Sequence, residues 1–242
     1  MEDAFFYCIK NKFSCGEYNI KTFNNEEGLV IFSQMTDNEN EHSENDKCLN
    51  DFKFELQPSF RYLYVEKITD NKYFNNREGV LTFVMINPSY ADECKSDKTM
   101  DRARSWATKV KKWNSENKGY KYFTVINLFA YRHHKVGELK KFIKYDEENS
   151  NHYNSKNNTF INEYLNFCEN VNDFVIAYGV SNDFGKQKEF IMSKKNIKNR
   201  LTFYSDKKPY HLLCRKKVYN EKHELNLYNL DTQLVINALR NS

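Results

Sequence analysis

Two asparagines and a histidine are the side chains of this sequence best placed to do chemistry. Asn87 follows the apolar run 80–86, Asn127 follows the run 120–126, and His211 comes shortly after another such run. Amide and imidazole groups donate and accept hydrogen bonds without a fixed charge. They suit recognition of the edge of a polar ring, or the positioning of a water molecule, better than they suit holding a metal ion.

The segments that precede these residues have the composition of buried strands. The runs 79–86, 120–126, 174–178 and 200–204 are rich in β-branched, aromatic and other apolar residues, as strands covered on both faces are. Stripes of apolar residues at helical spacing separate the runs. This alternation predicts an α/β fold with a central, mainly parallel, four-stranded sheet flanked by helices.

The carboxyl ends of parallel strands share one edge, where open α/β sheets bind their ligands. Asn87, Asn127, Gly179 and His211 would therefore converge on one crevice. Each also has a plainer interpretation. A strand-end asparagine more often stabilises a turn, Gly179 is more readily a backbone requirement than a ligand contact, and His211 could be a core residue.

The N-terminal part differs in charge from the rest of the chain. Residues 1–58 hold 5 Lys/Arg against 12 Asp/Glu, a net charge of −7, and residues 59–242 hold 32 against 21, a net of +11. We predict an acidic β-hairpin extension and linker over 1–58, with strands near 18–23 and 29–32, and an α/β core domain over 59–242. A basic core suggests contact with phosphates or polyanions, although a lysine-rich solvated surface would carry the same charge.

Several classes of protein are disfavoured by what the sequence lacks. No apolar run approaches the roughly 20 residues that span a bilayer, and the N-terminus lacks the charge pattern of a signal peptide. The 6 Cys form no C-x-x-C pair. We therefore predict a soluble, cytoplasmic protein with free thiols, no metal, no cofactor and no membrane contact. Neither a Walker loop nor Gly-x-Gly-x-x-Gly occurs.

A set of short motifs resembles one uncharacterised family, domain of unknown function 1643. The motifs are Phe60-Arg61-Tyr62, Ile86-Asn87-Pro88-Ser89-Tyr90-Ala91-Asp92, Asp97-Lys98-Thr99, Asn127-Leu128-Phe129-Ala130-Tyr131-Arg132, Tyr178-Gly179 and His211-Leu212. They cover about residues 59–215. The Asn-Pro-Ser-x-Ala-Asp and Asn-Leu-Phe-Ala blocks are specific to that family.

A weaker resemblance connects the same strand ends to the uracil-DNA glycosylase superfamily. It implies that Asn87 positions the attacking water, that Asn127 recognises an extruded base, and that His211 stabilises the departing base. Tyr178-Gly179 is similar to the aromatic-Gly pair of that superfamily. Here His211 is followed by Leu212-Leu213 rather than Pro-Ser, and Asn87 is not a carboxylate. Asp97, which could cap the next helix, is the candidate general base, and Asp92 is the alternative.

These observations predict a nucleobase-recognising, uracil-DNA-glycosylase-like protein, with hydrolysis of the base–sugar bond in DNA as the candidate reaction. The alternatives are a non-catalytic nucleotide- or modified-base-binding module, such as a sensor or a phage- or defence-related protein, and an interaction scaffold that binds a protein partner through residues 1–58. The candidate catalytic residues are Asn87, His211 and Asp97. The candidate substrate-binding residues are Pro88, Ser89, Tyr90, Asn127, Phe129 and Gly179, and the candidate phosphate contacts are Arg61, Arg102, Arg132, Lys207 and Arg215.

Overall fold

The computed structural model of this chain confirms the α/β class and shows a sheet larger than the sequence predicts. It describes residues 3–14, 18–23, 27–34, 59–88, 98–133, 136–149, 152–168, 172–181, 183–214 and 225–240. The acidic, aperiodic segment 36–50, whose composition predicts a linker, and most of the hairpin that the pattern of residues 217–230 predicts lie outside these ranges.

The described strands run from the N-terminal hairpin to a short strand near the C-terminus. They are β1 (Asn19–Phe23), β2 (Gly28–Gln34), β3 (Ser59–Lys67), β4 (Asn76–Arg77), β5 (Val80–Met85), β6 (Lys118–Gly119), β7 (Tyr122–Asn127), β8 (Asn172–Ile176), β9 (Arg200–Thr202) and β10 (Tyr228–Asn229). The helices of the described ranges are α1 (Ala4–Phe13), α2 (Lys98–Lys109), α3 (Val136–Asn149), α4 (Tyr153–Phe167), α5 (Gly185–Met192) and α6 (Thr232–Arg240).

Eight strands form one mixed sheet in the order β1-β2-β3-β7-β5-β8-β9-β10, and β4 pairs with β6 apart from it. The pairings β7–β5, β5–β8 and β8–β9 are parallel. The other four pairings are antiparallel. The prediction of a four-stranded, mainly parallel sheet is therefore wrong for the sheet as a whole, which has eight strands and four antiparallel pairings. The three parallel pairings join β7, β5, β8 and β9, the strands that the sequence predicts. The sheet is larger because β3 adds to the free side of β7, bringing the N-terminal hairpin with it, and β10 adds to β9.

The two faces of the sheet are both covered, which explains why every residue of β5 and β7 is buried. Alternate residues of a strand point to opposite faces. Val80 and Val84 pack with α1, α3, α4, α5 and α6, which we call the first face. Leu81, Phe83 and Met85 pack with α2 and with apolar residues of the described segments 203–214 and 225–227, which we call the second face. Both faces therefore need apolar side chains on the central strands.

The sequence pattern of residues 1–35 predicts short strands throughout, but the first element of the structure is the helix α1. Phe6, Ile9 and Phe13 recur at helical spacing and are buried. Asp3 caps α1 by accepting a hydrogen bond from the backbone N–H of Phe5 at 3.1 Å. The prediction overweighted the β propensity of the aromatic residues and missed the cap. The hairpin that follows is confirmed, since β1 and β2 pair antiparallel.

The apolar stripe from Met100 to Trp113 predicts a helix of about five turns. Helix α2 is shorter, because the chain turns after Lys109. Lys111 forms a bridge with Gly119, and Asn114 has a φ of 56°, which belongs to turns rather than helices. The predicted C-terminal helix is confirmed as α6. Among the described residues, the structure has no helix long and apolar enough to cross a membrane.

Candidate functional site at the carboxyl edge of the sheet

The segments that leave β5, β7 and β8 stay together beyond the ends of these strands. The backbone N–H of Leu128 donates to the carbonyl of Met85 at 2.8 Å, and that of Ala177 donates to the carbonyl of Val84 at 2.8 Å. The three chain segments that carry Asn87, Asn127 and Gly179 thus leave the sheet side by side. The parallel pairings place these exits at one edge.

Asn127 is the most informative residue at this edge. It ends β7, lies on the second face in register with Met85, and is 1% exposed. Neither its side-chain oxygen nor its side-chain nitrogen has a hydrogen-bond partner among the described residues; we call this group the open amide. A buried polar group left unsatisfied costs about 1–3 kcal/mol. The open amide is therefore a fold-destabilising group that a ligand could satisfy.

The backbone around the open amide is held in place by two side chains that the sequence did not single out. The Nδ2 of Asn157 donates to the carbonyls of Asn127 at 3.1 Å and Leu128 at 2.8 Å. The Nε2 of Gln187 donates to the same Leu128 carbonyl at 3.0 Å. Both are buried polar residues, Asn157 on an otherwise apolar face of α4 and Gln187 on α5. In the sequence, these two residues could have been noticed as polar side chains at helical positions that face the core.

Asn87 has both side-chain donors engaged in the neighbouring turn. Its Nδ2 donates to the carbonyl of Pro88 at 3.2 Å and to the carbonyl of His133. The backbone N–H of His133 in turn donates to the Pro88 carbonyl at 3.1 Å. These contacts match the plainer interpretation of a turn-stabilising asparagine. If Asn87 positions a water, its side-chain oxygen is the atom that does so.

A backbone hydrogen bond joins Gly179 to the segment that carries His211. The N–H of Gly179 donates to the carbonyl of Pro209 at 2.8 Å, which brings the segment 209–214 to the end of β8. Gly179 has a φ of +88°, a conformation that glycine adopts without strain. The Nδ1 of His211 accepts a hydrogen bond from the N–H of Leu213 at 3.1 Å. An accepting Nδ1 leaves the proton of a neutral imidazole on Nε2, where it can be donated.

Arg61 is a buried cation at this edge and not a surface contact for phosphate. It is 2% exposed, and its guanidinium carbon lies 5.7 Å from the centre of the Tyr64 ring. Its backbone N–H donates to the carbonyl of Ala130 at 2.8 Å, so Arg61 lies beside the segment that follows Asn127. This residue could reach only a group that enters the edge of the sheet.

The other residues predicted to contact phosphate or substrate differ in how far their side chains are exposed. Arg102 is exposed on α2, with its guanidinium carbon 5.5 Å from the Trp106 ring. Lys207 is exposed and Arg132 is half-buried. Of the predicted substrate contacts, Phe129 is buried against Phe184, with ring centres 5.0 Å apart, and Pro88 is buried. Asp97, Ser89, Tyr90 and Arg215 lie outside the described residues.

A buried lysine supports the loop after β8. Lys188 is 1% exposed, its Nζ donates to the carbonyl of Ser181 at 2.5 Å, and it lies 5.1 Å from the centre of the Tyr178 ring. Burial lowers the pKa of Lys188 to about 8, and the nearby carboxylate of Asp183 opposes that change. Burial also raises the pKa of Tyr178, although Arg200 opposes this. The loop that carries Gly179 thus rests on a polar group held in the core.

The candidate site has the chemistry of hydrogen-bond recognition. Within the described ranges, no group of three or more His, Cys, Asp or Glu side chains could hold a metal ion. The geometry instead offers an amide donor and acceptor at Asn127, a ring N–H at His211 and a buried guanidinium at Arg61. These groups can bind a polar ring and an adjacent anion.

Comparison with known proteins places the chain in a family without assigning its activity. No curated protein and no solved structure matches the chain. The resemblance to the uracil-DNA glycosylase superfamily accordingly stays a prediction. A family model described as "Protein of unknown function (DUF1643)" matches residues 61–223, which is more than half of the sequence. The chain therefore belongs to the DUF1643 family.

Proposed function

We propose that the protein recognises a nucleobase through the open amide of Asn127. The observation that carries the proposal is a buried asparagine, at the ligand-binding edge of an α/β sheet, with neither amide atom partnered within the described part of the chain. An amide offers a donor and an acceptor side by side. The edge of a pyrimidine or purine presents the complementary pair.

Asn157 and Gln187 hold the backbone at Asn127 and Leu128, and we call this pair the backbone clamp. The clamp supports the proposal. Asn157 fixes the carbonyls on both sides of the Asn127–Leu128 peptide bond, and Gln187 fixes the second of them again. The Asn127 side chain therefore starts from a rigid backbone. Sites that hydrogen-bond a ligand reject an analogue lacking the matching group, because buried polar groups of the site are then left unpaired.

Hydrolysis of a base–sugar bond is the reaction that this site would support. Water attacks the sugar carbon, the bond from that carbon to the base nitrogen breaks, and the base leaves with the electron pair. The Nε2–H of His211 can donate a hydrogen bond to the departing base. The Oδ1 of Asn87 can accept one from the attacking water, and Asp97 is the candidate base that takes the water's proton.

DNA is the proposed partner for such hydrolysis. Arg102 and Lys207 are exposed and could contact phosphates while a base is extruded from the stack, which costs a few kcal/mol. The excess positive charge of residues 59–242 has the sign that attracts the phosphates of DNA. A free nucleobase or nucleotide, bound without hydrolysis, is the second candidate, because the donors of Asn87 are already engaged in the turn.

Base binding is tested first, by thermal shift and calorimetry against uracil, thymine, cytosine, adenine and hypoxanthine. A ligand present at 100 times its Kd adds about 2.7 kcal/mol to the free energy of unfolding. We expect one base to bind the wild type and the Asn127→Leu variant to lose that binding by at least a hundredfold. The matched control is Asn172→Leu, which changes a buried asparagine of β8. Equal binding of the base by Asn127→Leu and wild type would reject the proposal.

Base release is tested separately, with oligonucleotides that contain uracil, hypoxanthine or a mismatched thymine. Release that is lost in His211→Ala and reduced in Asn87→Ala would support the hydrolase. Binding of a base by the wild type without release from any substrate would assign the site to a binding module instead. Release that neither substitution affects would contradict the roles given to His211 and Asn87.

A further inference from the structure

A cavity lies at the end of β7 opposite Asn127. Its volume is about 400 Å³, and residues 111–116 line one side and 225–228 the other. Lys111 pairs with Gly119, just before β7 begins, whereas Asn127 is the last residue of β7. The six residues of that strand span about 17 Å at about 3.3 Å each. The cavity is therefore separate from the candidate site at the carboxyl edge.

The wall formed by residues 111–116 is held by the core. The backbone N–H of Lys112 donates to the Lys118 carbonyl at 2.8 Å. The N–H of Trp113 donates to the hydroxyl oxygen of Tyr120 at 3.0 Å, and that hydroxyl donates to Asp173 at 2.8 Å. Tyr120 is fully buried. The turn is thus fixed by a buried network, as expected of a preformed site.

The lining combines ring faces with two lysines and one carboxylate, that of Glu116. Trp113 and Tyr228 line the cavity and are each partly exposed. Lys111 is exposed and forms no ion pair with any described residue, whereas Lys112 contacts Glu78 at 3.3 Å. Aromatic faces stack on planar rings, and ammonium groups bind phosphate as point charges. A ligand that satisfies both features is a planar ring joined to an anion.

We propose that this cavity binds a small anion that carries a planar ring, of the nucleoside monophosphate class. The ring packs against Trp113 and Tyr228, and the phosphate lies near Lys111 and Lys112. The volume falls within the range of about 300–1,000 Å³ that small-molecule sites have. This site is independent of the nucleobase recognition proposed for Asn127, because no lining residue is shared between the two.

Tryptophan fluorescence provides a direct measurement of occupancy. The chain has 2 Trp, and Trp106 is only 1% exposed in the core, so a ligand in the cavity should quench Trp113 alone. Adenosine, guanosine, cytidine and uridine monophosphates are titrated into the full-length protein. We expect saturable quenching by at least one of them, and no quenching in Trp113→Phe. Calorimetry measures the affinity of each variant.

Charge reversal tests the phosphate contact. Lys111→Glu should weaken binding of the selected nucleotide by about tenfold, which corresponds to about 1.4 kcal/mol. The control is Lys195→Glu, an equal change in net charge at an exposed lysine outside the cavity. Asn127→Leu should leave this binding unchanged, which separates failure of the carboxyl-edge proposal from failure of this one.

Three results would overturn the proposal. One is the absence of saturable quenching by all four nucleotides. Another is an affinity for inorganic phosphate or for the uncharged nucleoside equal to that for the nucleotide, because the ring or the charge would then be irrelevant. The third is equal weakening by Lys111→Glu and Lys195→Glu, which would indicate attraction to the overall charge rather than a site.

Discussion

Two buried asparagines lie near opposite ends of the central strand β5 and differ in how they are satisfied. Asn172 begins β8 in register with Val80, and its Nδ2 donates to the hydroxyl oxygens of Thr82 at 2.9 Å and Tyr164 at 3.1 Å, while its Oδ1 has no partner among the described residues. Asn127 ends β7 in register with Met85, and neither of its amide atoms has a partner in the described part of the chain.

The difference separates a structural role from a functional one. Thr82, Thr124 and Tyr164 bond to one another as well as to Asn172, and such a network stabilises and specifies a core. The open amide contributes nothing comparable to the fold. Because an unsatisfied buried group costs free energy, we infer that Asn127 serves binding rather than stability.

The largest expected effect comes from removing the clamp beneath the open amide. Asn157→Leu leaves the carbonyl of Asn127 without its side-chain donor and the carbonyl of Leu128 with Gln187 alone. We expect a loss of about 3 kcal/mol in the free energy of unfolding, together with loss of base binding, measured by urea denaturation and calorimetry. A loss of stability with unchanged affinity would show that the clamp does not position Asn127.

The next effect concerns Asn172, whose Nδ2 is engaged in two hydrogen bonds. Asn172→Leu removes the donor to Thr82 and Tyr164, so we expect a loss of about 2 kcal/mol in the free energy of unfolding. Base affinity should stay within twofold of wild type, because Asn172 lies at the other end of β5. Weakened binding in a folded Asn172→Leu protein would break the comparison between the two residues.

Lys188 adds a buried charge whose protonation can be changed. Its pKa is about 8 in the folded protein, against 10.5 for an ordinary lysine, so between these values the unfolded chain binds more protons. Stability should rise with pH from 8 to 9.5, by about 1–2 kcal/mol. In Lys188→Met this rise should largely disappear. If the free energy of unfolding of the wild type stays flat or falls over this pH range, Lys188 does not have the lowered pKa on which this prediction depends.

The smallest and most diagnostic effect on stability belongs to Asn127→Leu. Replacing the open amide by an apolar side chain of similar size removes two unsatisfied atoms, so we expect the free energy of unfolding to rise by about 1 kcal/mol. Urea denaturation of this variant and of Asn172→Leu measures the contrast. Destabilisation by more than about 1 kcal/mol would show that Asn127 has a structural role.

The sequence was most informative where local composition alone determines the structure. The apolar runs predicted β5, β7 and β8, and the strand-end position of Asn127 was visible in the order of residues. The antiparallel addition of β3 to β7 was not, because hydrophobic periodicity does not specify which strands become neighbours. It follows that the size of the sheet could not be deduced.

The partners of the site were also hidden in the sequence. Asn157 is 30 residues from Asn127, and Gln187 is 59 residues from Leu128, and both occupy positions that an apolar stripe assigns to the core. Nothing in the local pattern of α4 or α5 indicates which carbonyl a buried amide will reach. The engaged state of the Asn87 donors likewise depends on His133, which the chain brings near only after folding.

The central claim is tested most directly by the side-chain amide resonances of Asn127 in nitrogen-15-labelled protein. They are assigned by their disappearance in Asn127→Leu and followed while the base selected by calorimetry is titrated. The account predicts that both amide protons are present without ligand and that at least one shifts saturably downfield with the same Kd. Saturating base that leaves these resonances unmoved would contradict recognition by Asn127.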